Sequence, residues 1–337
     1  MLKPDPLFLP LERSRAFASA LSEWFRANAL PHPWRKTRDP YAVLVSEVML
    51  QQTTVQAVLN KGYYERFLSA FPDWEALAEA DEESVLSAWE GLGYYSRARN
   101  LQKTARAVVE VFGGVFPEAH EDILRLPGIG PYTAGAVASF AFGQSRPVVD
   151  GNVARVLSRV MDFQTEVDSS AGLRQLWQWA AELVPAEDAG NFNAGLMELG
   201  QTVCTKTRPD CMACPIAEFC QCSDPEQLPR KKQRAKMTEL DEFCLFHRDE
   251  GGALLMQRED GSRRKGMWRL PELPPQATAE ADLITRYVIT RYKVTLHTYI
   301  DKRAGADTGC EFIPAKSLPD LPVSAPYRKV IDELLQK

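Results

Sequence analysis

The feature that most constrains the fold is a glycine-rich turn between two apolar segments, Leu-Pro-Gly-Ile-Gly-Pro-Tyr-Thr-Ala-Gly at residues 126–135. Gly128 and Gly130 allow a tight turn, and Pro131 suits the first position of a helix. The apolar residues that would pack the two helices together are Ile123, Leu124, Leu126, Ile129, Ala134, Ala136, Val137 and Phe140. The pattern predicts a helix-hairpin-helix. Its outward amides would bind phosphate, which indicates a nucleic-acid backbone, although the turn alone fits an ordinary helical hairpin equally well.

A carboxylate follows this hairpin in the sequence Asp150-Gly151-Asn152. Asp150 is a good N-cap for the helix that begins with Gly-Asn-Val-Ala-Arg-Val. It is also placed where an acid would lie close to the phosphate-binding turn. Taken alone, the pattern favours the capping role.

Four of the seven cysteines, Cys204, Cys211, Cys214 and Cys220, fall in one short segment. In a cytosolic protein such a group indicates a metal centre and not disulfides. Zinc sites of four cysteines usually use two Cys-x2-Cys pairs, and only one is present here. An iron–sulfur cluster, a zinc site and free thiols are the possible interpretations of this cysteine segment. Cys222 lies outside the pattern and is assigned no ligand role, and the four histidines are too dispersed for a metal site.

The length of 337 residues allows two or three domains, and the net charge of -5 excludes a surface that is basic everywhere. Nucleic acid would therefore bind a local basic patch. The candidates are Lys206, Arg208, Arg230, Lys231, Lys232, Arg234 and Lys236. The charged run from Arg230 to Lys236 also suits a solvated linker. The opening Met1–Pro6 lacks the features of a signal peptide, and no segment has the length of a membrane span. We expect a cytoplasmic, nucleoid-associated monomer.

Helical periodicity dominates as far as residue 220, and a polar linker and short strand-like segments follow. The predicted helices are Arg13–Ala29, Tyr41–Val58, Tyr63–Ala70, Val85–Glu90, Ala98–Val111, Thr133–Phe142, Val153–Met161, Leu173–Leu183, Ala194–Cys204 and Tyr327–Gln336. The predicted strands are Glu242–Phe246, Ala253–Gln257, Val288–Ile289 and Val294–Ile300. An all-α region is thus followed by an α+β domain of about a hundred residues.

Glu47 is embedded among aliphatic residues in Val-Leu-Val-Ser-Glu-Val-Met-Leu-Gln-Gln-Thr, residues 43–53. Burial disfavours the charged form of a carboxyl group, so the pKa of Glu47 should be raised and the group could donate a proton near neutral pH. The alternative is a core glutamate paired with an arginine, which the helical pattern alone favours.

Together these motifs resemble the adenine DNA glycosylases of the MutY family, within the helix-hairpin-helix or endonuclease III superfamily. The matching segments are 33–35, 46–53, 91–100, 126–135, 150–153 and 197–200, together with the cysteine spacing. The resemblance implies a mainly α helix-hairpin-helix core with a [4Fe–4S] cluster loop and a C-terminal α+β MutT-like (Nudix-fold) domain. It places a six-helix barrel at 30–144, a cluster domain at 1–29 and 145–222, a linker at 223–237 and a lesion-recognition domain at 238–337.

The same resemblance implies a role for each matching residue. Glu47 would protonate adenine, and Asp150 would stabilise the sugar cation or attack it, as a pair of carboxylates with divided roles does in glycoside cleavage. Asn152 would orient Asp150 or a water molecule. Arg35, Tyr132 and Glu198 would line the pocket of the flipped base, and Gly128 and Gly130 would contact phosphate. Gln52 and Tyr94 would intercalate into the duplex. The four cysteines would be the cluster ligands.

Several of these residues have simpler interpretations or depart from the family. Gln52 would otherwise be a surface glutamine and Tyr94 a core aromatic residue, and Tyr95 is expected in the core. Tyr132 stands where bifunctional members carry a lysine nucleophile, so we expect a monofunctional glycosylase that leaves an abasic site, because tyrosine cannot form a Schiff base.

The C-terminal domain resembles the MutT-like domain through Gly266–Glu272 but lacks the hydrolase signature, so it should bind 8-oxoguanine opposite adenine without hydrolysis. The family's Phe-Ser-His loop is replaced by Arg291-Tyr292-Lys293, of which Tyr292 and Lys293 are candidate contacts. The expected partner is double-stranded DNA with adenine opposite 8-oxoguanine or guanine. Two alternatives stay open: a thymine-mismatch glycosylase, against which Glu47 argues, and a non-catalytic iron–sulfur DNA-binding protein.

Overall fold

The computed structural model describes residues 11–233, 236–261, 264–275, 280–300 and 309–336. The described residues form two compact units, one made of 11–51 with 107–233 and the other of 52–106 with the described residues from 236 onward. The predictions for Met1–Pro6 and Arg234 lie outside the described residues. The predicted domain boundaries stay a prediction.

The described helices are α1 (Leu11–Asn28), α2 (Pro40–Leu50), α3 (Val55–Asn60), α4 (Tyr63–Ala70), α5 (Trp74–Glu79), α6 (Glu82–Ala88), α7 (Ser96–Phe112), α8 (His120–Arg125), α9 (Pro131–Phe140), α10 (Gly151–Val160), α11 (Ser170–Leu183), α12 (Ala189–Thr202) and α13 (Ala325–Leu335). The strands are β1 (Thr238–Phe246), β2 (Leu254–Arg258), β3 (Trp268–Arg269), β4 (Leu283–Ile289), β5 (Tyr292–Ile300) and β6 (Cys310–Ile313). No described helix is long and apolar enough to cross a membrane.

The core of the first unit forms where α1, α10, α11 and α12 pack together. Phe17 of α1, Trp179 of α11 and Leu196 of α12 are among its fully buried members. The predicted all-α character of this region is confirmed. The packing buries one face of α10 completely, and this holds the first turn of α10, which follows Asp150, in a fixed position.

The predicted helix-hairpin-helix is present as α8, a turn and α9. Gly128 has φ +77, a left-handed conformation that favours glycine, whereas Gly130 has φ -99 and caps α9 in a conformation open to other residues. Ile123 and Leu126 are buried as predicted. Leu124 is 37% exposed because the short α8 directs only one face toward α9, so its assignment to the apolar face was wrong.

The second unit contains α3 to α6, most of α7, and the C-terminal α+β region. Two three-stranded sheets form, in the orders β1-β5-β4 and β3-β2-β6. β1 lies parallel to β5, and the other named pairs are antiparallel. Tyr327, Val330 and Ile331 of α13 join Trp268 and Leu296 in a buried core. A C-terminal sheet region is therefore confirmed, and its relation to a MutT-like domain stays a prediction.

One predicted helix, Tyr41–Val58, is wrong. The chain leaves the helical conformation after Leu50, Gln52 adopts φ +59, and the hydroxyl of Thr54 caps a new helix by accepting from the N–H of Ala57 at 3.2 Å. Apolar periodicity runs through this break and conceals it. The helices α5 and α8 and the strands β3 and β6, each of six residues or fewer, were not predicted.

Candidate active site

Glu47 lies on α2, a helix whose residues are apolar on nearly every face. Asp39 caps this helix by accepting from the N–H groups of Tyr41 and Ala42, at 3.1 and 3.3 Å. Every residue from Tyr41 to Met49 is buried, and Glu47 is only 4% exposed. The sequence thus builds a low-dielectric site around a single carboxyl group.

The partner of Glu47 is Tyr132, in the first turn of α9. The phenol O–H of Tyr132 donates to Oε2 of Glu47 at 2.7 Å. The pKa of Glu47 is raised to about 7. Burial is the main cause, and the nearby Asp150 also raises this pKa. The Tyr132 hydrogen bond and the charge of Arg35 act in the opposite direction. Glu47 is therefore balanced between its two protonation states near neutral pH.

Asp150 caps α10. Its carboxylate accepts from the N–H of Asn152 at 2.9 Å, from Nδ2 of Asn152 at 2.9 Å and from the N–H of Val153 at 2.7 Å. Burial raises the pKa of Asp150, but these three hydrogen bonds favour its charged form and limit the shift. The capping role is confirmed, and it leaves the carboxyl group of Asp150 close to Glu47 and Tyr132.

Asn152 is held in turn by Arg155, one helical turn further along α10. Arg155 donates from Nη2 to Oδ1 of Asn152 at 2.9 Å and to the carbonyl of Gly200 at 2.5 Å, and from Nε to the carbonyl of Cys204 at 2.9 Å. Because the Asn152 amide oxygen accepts from Arg155, its Nδ2 group is directed toward Asp150. A continuous chain of hydrogen bonds connects Asp150 to the backbone of Cys204.

Arg35 and Glu198 form an ion pair, and Glu198 is almost fully buried. Glu198 also accepts from the N–H of Leu30 at 2.9 Å, and Arg35 donates to the carbonyl of Leu30 at 2.9 Å. The glutamate paired with an arginine is therefore Glu198. Glu47 is instead bonded to a neutral phenol, which leaves its proton available for chemistry.

The four predicted cysteine ligands line one cavity of about 170 Å³ in the first unit. Val156, Leu199 and Ile216 supply apolar walls, and Cys222 lines the same cavity. Among the described residues no three His, Cys, Asp or Glu side chains converge on a single-ion site. The soft thiol donors and the space between them fit a group larger than one ion.

The buried Arg159 closes this cavity against the protein interior. It donates from Nη1 to Sγ of Cys204 at 3.2 Å and to the carbonyl of Thr205 at 2.7 Å, and from Nη2 to the carbonyl of Lys206 at 3.2 Å. Arg155 and Arg159 were not singled out from the sequence. Their signal was present, because they lie about one turn apart on a helix whose other inward residues are apolar apart from Ser158.

The surface of the first unit carries a glycine turn of the kind that binds phosphate, and several exposed basic residues. Gly128 and Gly130 are exposed at the start of α9, the helix that carries Tyr132. Lys206, Arg208 and Arg230–Lys232 are also exposed. The segment of Arg230 is fixed on the unit, because its carbonyl accepts from Val167 at 2.9 Å and the N–H of Lys232 donates to Asp168 at 2.9 Å.

The second unit carries the other predicted contacts. Gln52 and Tyr94 are both exposed, Tyr94 by 45%, so the core interpretation of Tyr94 was wrong, whereas Tyr95 is 5% exposed as expected. Tyr292 and Lys293 begin β5, directly after a hairpin turn in which Thr290 has φ +53. The guanidinium of Arg291 lies 5.3 Å from the centre of the Tyr292 ring.

Comparisons with known proteins agree with this geometry. Residues 45–182 match the family described as HhH-GPD superfamily base excision DNA repair protein. The human adenine DNA glycosylase is 46% identical over 224 residues, which cover 64% of this chain and 41% of that protein. The chain spans between 41% and 58% of the length of the curated relatives it matches.

Solved structures show the same fold. A thermostable thymine-DNA glycosylase has a TM-score of 0.56 and 30% identity, with 62% of this chain and 96% of that chain covered. An endonuclease III in a non-covalent DNA complex has a TM-score of 0.53 at 24% identity, with 64% and 96% covered, and shows the fold alone. Residues 45–182 belong to the HhH-GPD superfamily of base excision DNA repair proteins. Within it, the chain resembles the MutY type, since curated relatives that it matches are named adenine DNA glycosylases.

We predict that Glu47→Gln stabilises the protein above neutral pH. The folded-state pKa of about 7 lies above the ordinary value of 4.5, so wild-type stability is full below pH 4.5 and falls as pH rises through 7. The amide removes this dependence, and the variant should gain up to about 3 kcal/mol over wild type between pH 5 and pH 8. Urea unfolding of both proteins at pH 5 and pH 8 measures this difference in the free energy of unfolding. A stability difference that does not change with pH would refute the raised pKa.

Proposed function

We propose that this chain is a monofunctional adenine DNA glycosylase of base excision repair, hydrolysing the N-glycosidic bond of adenine opposite 8-oxoguanine or guanine. The observation that carries the proposal is the pair of carboxyl groups, the buried Glu47 with a pKa near neutrality and the half-buried Asp150 held by three donors. The relatives named as adenine DNA glycosylases support it. Its substrate would be double-stranded DNA, which a monomer in the cytoplasm meets at the nucleoid.

In the proposed reaction Glu47 is the general acid. Its buried proton passes to N7 of a flipped adenine, so the glycosidic bond electrons move into a ring that is a better leaving group. Asp150 would act in its ionised form, which its three hydrogen bonds favour, and would stabilise the sugar cation that forms as the bond breaks. Water then adds to the sugar carbon and its proton returns to the Glu47 carboxylate, which yields an abasic site and free adenine and restores the acid. Asn152 keeps the carboxylate of Asp150 in place.

Tyr132 directs the outcome toward simple hydrolysis. It lies beside Glu47, where an amine would be needed to form a Schiff base with the sugar and to drive strand cleavage. Its phenol instead holds the Oε2 atom of Glu47. The Arg35–Glu198 pair, which fixes the chain at Leu30, would line the pocket of the base.

A thymine-DNA glycosylase is the second candidate, because one such enzyme shares the fold over 96% of its length. Glu47 separates the two candidates. Departure of a pyrimidine needs no proton at N7, so a thymine enzyme would have no use for an acid whose pKa lies near 7.

Glu47→Gln and Asp150→Asn should each slow single-turnover adenine release by at least about 100-fold, the usual contribution of a general acid or of a charge aimed at the transition state. The exposed Glu182→Gln is the matched control and should act as wild type. Fluorescence anisotropy should show DNA affinity unchanged in Glu47→Gln. With the wild-type protein, the product strand should break only after treatment with alkali. Near wild-type release by Asp150→Asn would leave that residue as a helix cap alone.

The cysteine cavity would hold a [4Fe–4S] cluster through Cys204, Cys211, Cys214 and Cys220. When bound, the cluster would cross-link the loop between α12 and the linker, and Arg159 would stabilise the charge of the Cys204 thiolate. The apolar walls and the soft donors support this assignment.

Protein purified without oxygen should contain about four iron and four sulfide per chain, as four thiolate ligands imply. Cys204→Ser should lose the visible absorbance of the cluster, whereas Cys222→Ser should keep it. One zinc and no sulfide would contradict the assignment.

The C-terminal α+β region would be a MutT-like domain that recognises 8-oxoguanine through the turn before β5. The exposed Lys293 offers a charge to a phosphate or to the lesion, and Tyr292 an aromatic face. Gln52 and Tyr94 would enter the duplex as the adenine leaves it, while the amides at Gly128 and Gly130 bind phosphate.

Tyr292→Ala and Lys293→Ala should reduce the preference for 8-oxoguanine over guanine by about tenfold, the order expected for one lost base contact. The rate on adenine opposite guanine should not change. Lys316→Ala, which removes another exposed lysine of the same unit, is the control. Equal losses on both substrates would refute the role of this turn in lesion recognition.

A further inference from the structure

Two exposed residues of the second unit share an unusual backbone conformation. Gln52 has φ +59 and Tyr94 has φ +46, both in the left-handed region that residues other than glycine rarely adopt. Such conformations are strained and persist where the surrounding structure enforces them. Gln52 and Tyr94 are here called the wedge. Hydrogen bonds to the residues next to Gln52 and Tyr94 enforce this backbone conformation.

Arg97 lies beneath both loops of the wedge. Its Nη2 donates to the carbonyl of Leu92 at 2.8 Å and the carbonyl of Gly93 at 3.1 Å, the two residues before Tyr94. The same nitrogen donates to Oγ1 of Thr53, the residue after Gln52, at 3.3 Å. One guanidinium group therefore bonds to the neighbours of both wedge residues.

Aromatic contacts hold the arginine in this position. Its guanidinium lies 5.3 Å from the ring of Trp89 and 5.8 Å from the ring of Tyr94. Nε1 of Trp89 donates to the carbonyl of Gly93 at 3.2 Å, so the same turn is fixed from a second side. Arg97 is 8% exposed, and burial lowers its pKa to about 10, so it remains charged at neutral pH.

We infer that Arg97 is the positioning residue that holds Gln52 and Tyr94 together as one two-part wedge for opening a base pair. The inference rests on the proposed function, because a wedge is needed only if a base leaves the duplex. Arg97 acts on the DNA only through these two residues. Three contacts from Nη2 of Arg97 join two loops that are about forty residues apart in sequence, and the planar guanidinium also stacks on the Trp89 ring, which a lysine ammonium does not do in the same way.

The test separates base-pair opening from bond cleavage. 2-Aminopurine replaces the target adenine in a duplex, and stopped-flow fluorescence reports its unstacking on binding, without any need for cleavage. Arg97→Met should slow this opening by about tenfold, the order that follows from the loss of a charged hydrogen bond, with DNA affinity within about twofold of wild type. Arg97→Lys should recover part of the rate. Adenine release should fall in the same proportion as opening.

Arg106→Met is the matched control, since Arg106 lies on the same helix and bonds to the carbonyl groups of Ala78 and Ala80 and not to the wedge loops. An opening rate like that of wild type, or a loss that the control shares, overturns the inference. If circular dichroism shows that Arg97→Met is unfolded, Arg97→Lys decides by the same criteria. A wild-type protein that opens the pair but releases no adenine would contradict the proposed function and leave the inference standing.

Discussion

The burial of one carboxyl group in an apolar helix is the constraint on which the site depends. α2 buries nine consecutive residues, and Glu47 is the one acid among them. Removing a carboxylate from water costs more than a single phenol hydrogen bond returns, so the group keeps its proton at a pH where an exposed glutamate has lost it. The stability that the fold loses by this burial is what makes Glu47 useful as an acid.

The second carboxyl group has more hydrogen-bond donors around it. Asp150 is half-buried and its pKa is also raised by burial, but the first turn of α10 presents two backbone N–H groups to it and the Asn152 side chain adds a third donor. Helix capping and charge stabilisation are therefore one and the same set of contacts. Because Arg155 continues this set to the carbonyl of Cys204, the loop of the cysteine cavity and the first turn of α10 are fixed by shared hydrogen bonds.

The sequence allowed the prediction of the residues whose chemistry is unusual for their surroundings. An acid within an aliphatic run, a Gly-x-Gly turn and closely spaced cysteines are local signals, and Glu47, Gly128 and the cysteine cavity lie where these signals indicate. The break at Gln52 was missed because apolar spacing continues through it. The interactions of Arg155, Arg159 and Arg97 depend on carbonyl groups that tertiary structure brings close, and no sequence pattern marks a carbonyl.

The pH dependence of single-turnover adenine release, in wild type and in Tyr132→Phe, tests the central claim most directly. If protonated Glu47 is the acid, the wild-type rate should fall as pH rises through about 7, the value its burial sets. Tyr132→Phe removes a hydrogen bond that lowers this pKa, so the fall should move to higher pH. A rate that does not change between pH 6 and pH 9, or an identical profile in both proteins, would contradict the account.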